Sequence, residues 1–281
     1  MKKRSKRRSS ANVFDQKSPV SRTRSPEYQF LKKDKGSKDP VTDIRLNKYI
    51  AHSGICSRRE ADDLIRNGDI KVNGKVVFEL GIRIKPSDKV SYKGKVLKRE
   101  KLIYILLNKP KDFITTTDDP QARKTVIDLV KNHIRERVFP VGRLDRNTTG
   151  LLILTNDGDL SEVLAHPSYN IRKVYEVLLD KPVQEKDVET IKKGLELEDG
   201  PVKIDDMAVL SPDARSIGIE IHSGRNRIVR RIFEHLGYEV VKLDRVMYSF
   251  LTKKDLPRGK WRYLKEFEVV RLKKMGSKRK H

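Results

Sequence analysis

The first sustained pattern in the chain begins at Ile44. Leu46, Tyr49, Ile50 and Ala51 recur at helical spacing before Gly54. Ser57-Arg58-Arg59-Glu60 then has the form of a capping box, in which the serine oxygen accepts the Glu60 amide and the glutamate reaches back to the serine amide. The helix it opens carries Ala61, Leu64 and Ile65 on one stripe and stops near Gly68. Val72-Asn73-Gly74-Lys75 follows, and an Asn-Gly pair between short strand-like pieces favours a tight hairpin turn. The spacing predicts a compact module of two small helices and a hairpin over 44–100.

Beyond Lys101 the periodicity changes. Leu102 to Leu107 reads as a continuous apolar strand, and Val138 to Val141 and Leu151 to Leu154 read as two more that flank a polar loop. Ile171 to Leu179 and Ser216 to Ile221 alternate with period two, so each buries one face. Amphipathic helices fit 183–193, stopping at Gly194, and 226–236, stopping at Gly237. Strands and helices interspersed, with several half-exposed strands, predict an α+β domain over 101–272 built on a mixed, largely antiparallel sheet. Residues 1–43 are rich in Lys, Arg, Ser and Pro and read as a flexible basic arm; 273–281 reads as a basic tail.

Charge narrows the class of partner. The chain has 63 Lys and Arg against 39 Asp and Glu, a formal net charge of +24. The first 40 residues alone hold 13 basic and 4 acidic side chains. Such an excess favours polyanions, either nucleic acid or an anionic membrane. No apolar run approaches the roughly 20 residues of a spanning helix, and the basic start lacks the apolar stretch of a secretory signal. One cysteine, Cys56, forms no internal disulfide, which suits the cytoplasm, and a monomer is the simplest assembly. There is no phosphate-binding Gly-rich loop, no dinucleotide fingerprint and no His/Cys cluster, so neither cofactor nor metal is expected.

Candidate chemistry centres on the loop between Phe139 and Gly158. Asp145 sits there between Arg143 and Arg146, cations that suit a carboxylate acting as nucleophile or base. Read from the residues alone, an Asx-turn paired to a neighbouring arginine fits equally well. So does a metal-dependent nuclease that uses Asp145 with Asp157 or Asp159. In the helix 226–236, Ile228, Val229, Ile232, Phe233 and Leu236 form the apolar stripe, which leaves Arg227, Arg230 and Arg231 on the other side.

Two resemblances decide among these readings. Arg45-Leu46-Asn47-Lys48-Tyr49-Ile50, Ser57-Arg58-Arg59-Glu60-Ala61, Ile65 to Gly68 and Lys71-Val72-Asn73-Gly74 resemble the S4 RNA-binding domain. That likeness implies phosphate contacts by Arg45, Lys48, Arg58, Arg59 and Lys71. The alternative for two of them is helix-surface pairing, Arg58 with Asp62 and Arg59 with Asp63. Gly142-Arg143-Leu144-Asp145-Arg146-Asn147-Thr148-Thr149-Gly150-Leu151-Leu152 resembles the signature of RsuA/RluB-type pseudouridine synthases. Leu107-Asn108-Lys109-Pro110, Ala165-His166-Pro167, Arg172 to Val177 and Gly224 to Arg231 extend the likeness. It implies that Asp145 is catalytic, that Tyr175 lies against the target base and that Arg230 pairs with Asp145. Asn108 and Lys109 are then expected to be structural or to position RNA, and Arg143 and Arg227 to position RNA. The partner implied is ribosomal RNA rather than DNA, and Asn226-Arg227 is similar to the large-subunit branch. The implied reaction is the isomerisation of uridine: N1–C1′ is broken and the base is rejoined through C5. Asp145 would either attack C1′ or remove the C2′ proton; the rivals are a non-catalytic RNA-binding assembly factor and the same activity on small-subunit ribosomal RNA.

Overall fold

A computed structural model describes residues 25–29 and 43–277. The N-terminal module holds a short strand β1 (Ile44–Arg45), helices α1 (Leu46–His52) and α2 (Arg58–Arg66), and strands β2 (Ile70–Val72), β3 (Lys75–Val76), β4 (Arg83–Ile84), β5 (Val90–Tyr92) and β6 (Lys95–Val96). The capping box forms as the spacing predicts: the Glu60 amide donates to Ser57 Oγ at 3.3 Å and the Ser57 amide donates to Glu60 Oε2 at 2.5 Å. Asn73 and Gly74 both take positive φ, +51° and +84°, which closes the β2–β3 hairpin with Val72 opposite Lys75. Leu46, Ile50, Ala61, Ile65, Ile70 and Val90 fill the core of the module.

The larger unit is built on one mixed sheet. Its strands are β7 (Tyr104–Lys109), β8 (Phe139–Pro140), β9 (Thr149–Thr155), β10 (Lys173–Leu179), β13 (Asp206–Val209), β14 (Ser216–Ile221), β15 (Val240–Tyr248), β16 (Leu251–Thr252) and β17 (Trp261–Tyr263). The main path runs β13-β14-β10-β15-β9-β7-β17, with β8 on β9 and β16 on β15. A separate hairpin pairs β11 (Leu195–Leu197) with β12 (Gly200–Val202). Helices α3 (Gly158–Ala165), α4 (Glu185–Lys193), α5 (Ile228–His235) and α6 (Glu266–Ser277) complete the unit. The apolar runs of β7 and β9 arise because both sheet faces are covered. Ile105, Leu107, Leu152 and Leu154 pack toward α5, while Tyr104, Leu106, Leu151 and Ile153 pack with α3 and α6.

One junction joins the two halves of the sheet. Strands β9 and β15 run parallel for a single step, Thr149 beside Asp244 and Gly150 beside Arg245, where every other pair of these strands among the described residues is antiparallel. Gly150 has φ +107°, and a Cβ there would lie 2.3 Å from the Arg245 carbonyl oxygen. No side chain fits this approach. Gly150→Ala is expected to destabilise the fold by roughly 3 kcal/mol, through backbone displacement and left-handed strain, read as a lower urea midpoint.

Several boundaries differ from the sequence reading. Helix 226–236 begins only at Ile228, because Arg227 takes φ +49° and turns the chain into the helix. Helix 183–193 starts at Glu185. The strand read over Val138 to Val141 shortens to Phe139–Pro140, with the Val141 amide still donating to the Ile153 carbonyl at 2.8 Å. Helix α6 continues to Ser277, five residues into the segment read as a tail, and Lys273 pairs with Asp157 at 3.0 Å. The described part of the arm is docked rather than free: Tyr28 is buried edge-on against Tyr104, its hydroxyl donating to the Leu264 carbonyl at 3.0 Å. The rest of the arm and the last four residues lie outside the described residues. Among the described residues, no helix is long and apolar enough to cross a membrane.

Candidate active site

Residues 142–148 form a loop on the edge of the β9–β15 junction, and a buried lysine sets its shape. Lys109, at the end of β7, is fully buried. Its ammonium donates to the carbonyls of Thr148 at 2.7 Å, Asp145 at 3.0 Å, Pro110 at 3.2 Å and Arg146 at 3.3 Å. Burial lowers its pKa to about 8, against the opposing pull of Asp145. Thr115 holds the preceding residue from outside, its hydroxyl donating to the Leu144 carbonyl at 2.6 Å and accepting the Leu144 amide at 3.1 Å. Lys109, expected to be structural or to position RNA, holds the loop from beneath and lies away from solvent.

This scaffold presents Asp145 at the boundary of two hollows. One is a cavity of about 330 Å³ bounded by Tyr175, Lys173, Arg245, Tyr248 and Ile228; the other is a wider cleft of about 880 Å³ bounded by Thr116, Arg123, Arg230 and Glu234. The smaller is of the size that holds one small ligand or nucleobase. Tyr175 is nearly buried, at 8% exposure, on its wall. Two guanidinium groups face the Asp145 carboxylate: Arg227 Nη1 lies 3.8 Å and Arg230 Nε 3.9 Å from Oδ2. Arg230 is further fixed by donating to the Val240 carbonyl at 2.8 Å. Burial and the neighbouring Arg227 lower its pKa, while Asp145 opposes the shift. Its Nε makes no hydrogen bond. Arg231 turns away to Asp199 at 2.8 Å. The three arginines that the helix stripe left open thus divide: Arg227 and Arg230 approach Asp145, and Arg231 does not.

Other expected contacts are redistributed. Arg143 is exposed and borders both hollows, but Arg146 pairs with Asp112 at 3.2 Å instead of Asp145. Lys48 is taken by Asp159 of the larger unit, so it bridges the two units rather than standing free for phosphate. Arg45, Arg58, Arg59 and Lys71 are exposed. The pairings Arg58–Asp62 and Arg59–Asp63 do not form, because Asp62 accepts from Asn47 at 2.9 Å and Asp63 pairs with Arg66 at 2.8 Å. Asp157 caps α3 through the Leu160 amide and accepts the Tyr104 hydroxyl at 2.7 Å. Both Asp157 and Asp159 border a separate hollow at the seam between the units, which removes the support for a nuclease built on them with Asp145.

Two site residues had no role in the sequence reading: Arg245 and Lys173, both buried on the wall of the smaller cavity. No motif announced Arg245. Lys173 lies within a matched segment, but alternation alone made it an ordinary strand residue.

Against this geometry, the comparisons with known proteins are decisive. The family profile described as RNA pseudouridylate synthase matches residues 103–235, and the S4 domain profile matches 44–90. Ribosomal large subunit pseudouridine synthase B of Bacillus subtilis is 44% identical over 237 residues, covering 83% of this chain and 96% of that protein. The chain belongs to the RNA pseudouridine synthases. As a member of that family it is an isomerase with an S4 RNA-binding domain. The dual-specificity RNA pseudouridine synthase RluF of Escherichia coli K12 is 38% identical, covering 84% of this chain and 80% of that one. A crystal structure of a pseudouridylate synthase superposes with TM-score 0.59 at 30% identity, covering 82% of this synthase and 99% of its own chain. The α+β architecture and the S4-then-synthase order read from the sequence are those of the family.

Proposed function

We propose that this synthase isomerises one uridine of large-subunit ribosomal RNA, acting as a cytoplasmic monomer, with Asp145 as the reacting carboxylate. The observation that carries the reading is Asp145 itself, faced by Arg227 and Arg230 within 4 Å at the rim of a nucleobase-sized cavity walled by Tyr175. The large-subunit assignment draws on the Bacillus relative's name and on Asn226-Arg227. A stacked base is out of reach, so the target nucleotide must be extruded or lie in a loop. Tyr175 then offers its ring or hydroxyl to the base, and exposed Arg143 receives backbone phosphate. The N1–C1′ bond breaks with its electron pair passing to N1. Asp145 bonds to C1′, or takes the C2′ proton. After the base turns, C5 bonds to C1′, Asp145 departs or returns its proton, and C5 loses its proton while N1 takes one up. Atoms and electrons balance within the nucleotide, and the flanking guanidinium groups hold the carboxylate aligned and charge-compensated.

Pseudouridine mapping of ribosomal RNA from cells with and without this protein tests the assignment. One site lost on deletion and restored by the purified protein is the expected result. An unchanged map, with RNA binding retained, would favour the non-catalytic assembly factor instead.

The S4 module supplies docking charge. Exposed Arg58 and Arg59 stand on α2 without acidic partners among the described residues. Arg58→Ala with Arg59→Ala is expected to weaken RNA binding and to reduce the slope of log Kd against log salt by about 1–2. A slope equal to wild type across 50–300 mM salt (on the order of the range where counterion release is read) would assign these residues no phosphate contact.

A further inference from the structure

The wall of the smaller cavity carries two buried cations that form no ion pair among the described residues. Arg245 is 2% exposed and Lys173 6% exposed. Asp244, next to Arg245 in sequence, and Asp205, whose charge acts on Lys173, are both engaged elsewhere. Asp244 is held by Arg258 at 2.8 Å, by Thr149 at 2.8 Å and by Lys253, while Asp205 is held by His222 at 2.8 Å. Lys173 donates to the carbonyls of Ile171 at 3.0 Å and His222 at 3.3 Å, and burial followed by the charge of Arg245 lowers its pKa to about 8. Removing two positive charges from water without a counter-ion opposes folding, and such an arrangement is found where an anion is to be received.

Sheet geometry accounts for only part of Arg245. Its Nε donates to the Leu151 carbonyl at 2.6 Å, just beyond the last parallel pair of β9 and β15. Its guanidinium lies 4.8 Å from the Tyr248 ring centre and 5.9 Å from that of Tyr175, and Nη1 donates to the Tyr175 hydroxyl at 3.4 Å. Nη2 is buried with no hydrogen-bond partner. The side chain is therefore locked by two rings and a carbonyl, and it keeps a full charge and a spare donor beside the cavity.

We propose that Arg245, with Lys173 beside it, stabilises the uracil anion released when N1–C1′ breaks. The inference rests on the isomerase reading above and adds to it. On either route open to Asp145 the bonding pair leaves with N1, so the detached base carries one negative charge spread over N1, O2 and O4. A preorganised cation in a water-poor pocket favours that charge most when it is fully developed, which is the condition for accelerating the step. Arg227 and Arg230 serve the carboxylate; Arg245 and Lys173 serve the leaving base. The site thus has one pair of cations for the carboxylate that is charged before cleavage and another for the base that carries the charge after it.

The test separates charge stabilisation from structural support. Fluorine at C5 stabilises the uracil anion by induction, so cleavage of a 5-fluorouridine needs less help from Arg245. Synthetic RNA spanning the mapped site is made with uridine or 5-fluorouridine at the target, and consumption of that nucleoside is followed in single turnover. Arg245→Gln is expected to slow the uridine substrate ~100-fold and the 5-fluorouridine substrate less than ~10-fold. Arg245→Lys, which keeps the charge, should lie between Arg245→Gln and wild type on uridine. Thermal unfolding reports whether each variant is folded; if Arg245→Gln is not, Lys173→Gln and Arg245→Lys carry the same two-substrate comparison. An equal slowing on both substrates overturns the inference and leaves the isomerase reading standing. Absence of turnover by wild type on either substrate overturns the isomerase reading.

Discussion

Asp145→Asn should abolish pseudouridine formation, with a loss of ~10³-fold or more in single-turnover rate, while RNA affinity changes little. The amide keeps the shape of the carboxylate but provides neither a nucleophilic oxygen nor a base. The change is local because the loop is held by its backbone: the Asp145 carbonyl accepts from Lys109 at 3.0 Å and from the Thr148 amide at 3.1 Å, and both contacts survive the substitution. The side-chain pairs with Arg227 and Arg230 are long, 3.8 and 3.9 Å, and removing them lowers stability by about 1 kcal/mol or less for a group that is one-third exposed. Two assays on one preparation check this, single-turnover conversion and a binding isotherm. Conversion within tenfold of wild type would remove Asp145 from the chemistry.

The elements that could be read from the sequence are those whose cause is local. Ser57 and Glu60 lie within three residues of each other, and Asn73-Gly74 carries its turn in its own φ preferences, so both appear as read. The strands β10 and β14 show their alternation because one face is far more buried than the other. Strand β15 escaped notice for a physical reason: its register against β10 shifts between Val174 and Tyr175 and again between Leu178 and Leu179, so its burial no longer alternates. Helix α5 starts late because Arg227 adopts a left-handed conformation that no pattern of polarity encodes. Tyr28 looked like one aromatic in a basic arm; its partners, Tyr104 and Leu264, are 76 and 236 positions away.

The site divides in the same way. The resemblance located Asp145, Tyr175 and Arg230 because they sit in ordered motifs, and the structure brings Asp145 and Arg230 to 3.9 Å while Tyr175 borders the neighbouring cavity. Charge neighbours were the weak part of the reading. Arg146 is next to Asp145 in sequence yet pairs with Asp112, and Lys48 spans 111 positions to Asp159. Arg146 lies in the turn closed by the Thr148 amide on the Asp145 carbonyl, and Lys48 lies on α1, so each pairs with whatever the fold brings to it rather than with its neighbour in sequence. Arg245 could be found only after the strands were assembled, since its role depends on the β9–β15 junction and on the Tyr175 ring of β10.

Lys109→Met should be the most damaging substitution outside the reacting groups. The methionine fills a similar volume but donates nothing, so four backbone carbonyls around 110–148 lose their shared donor. The expected result is a loss of stability on the order of 3 kcal/mol and a rate lowered ~100-fold as the Asp145 loop loses its support. A pH signature separates this role from simple packing. The ammonium titrates at about 8 in the folded protein because burial disfavours its charge, against 10.5 in the unfolded chain. Between those values the unfolded chain binds more protons, so wild-type stability gains a positive contribution from this group as pH rises from about 8 to 10.5. Lys173, also lowered to about 8, contributes the same sign and is retained in the variant. Urea midpoints measured from pH 7 to 10 should therefore climb less steeply in Lys109→Met than in wild type, by up to about 1.4 kcal/mol per pH unit once converted to free energy. Catalysis should move the other way: above pH 8 the neutral amine has two N–H groups for carbonyls that three had served, and the wild-type rate falls as the fold gains stability. Parallel midpoint curves for the two proteins would mean that Lys109 holds no buried charge, and the loop would then owe its shape to Thr115 and the Thr148 turn alone.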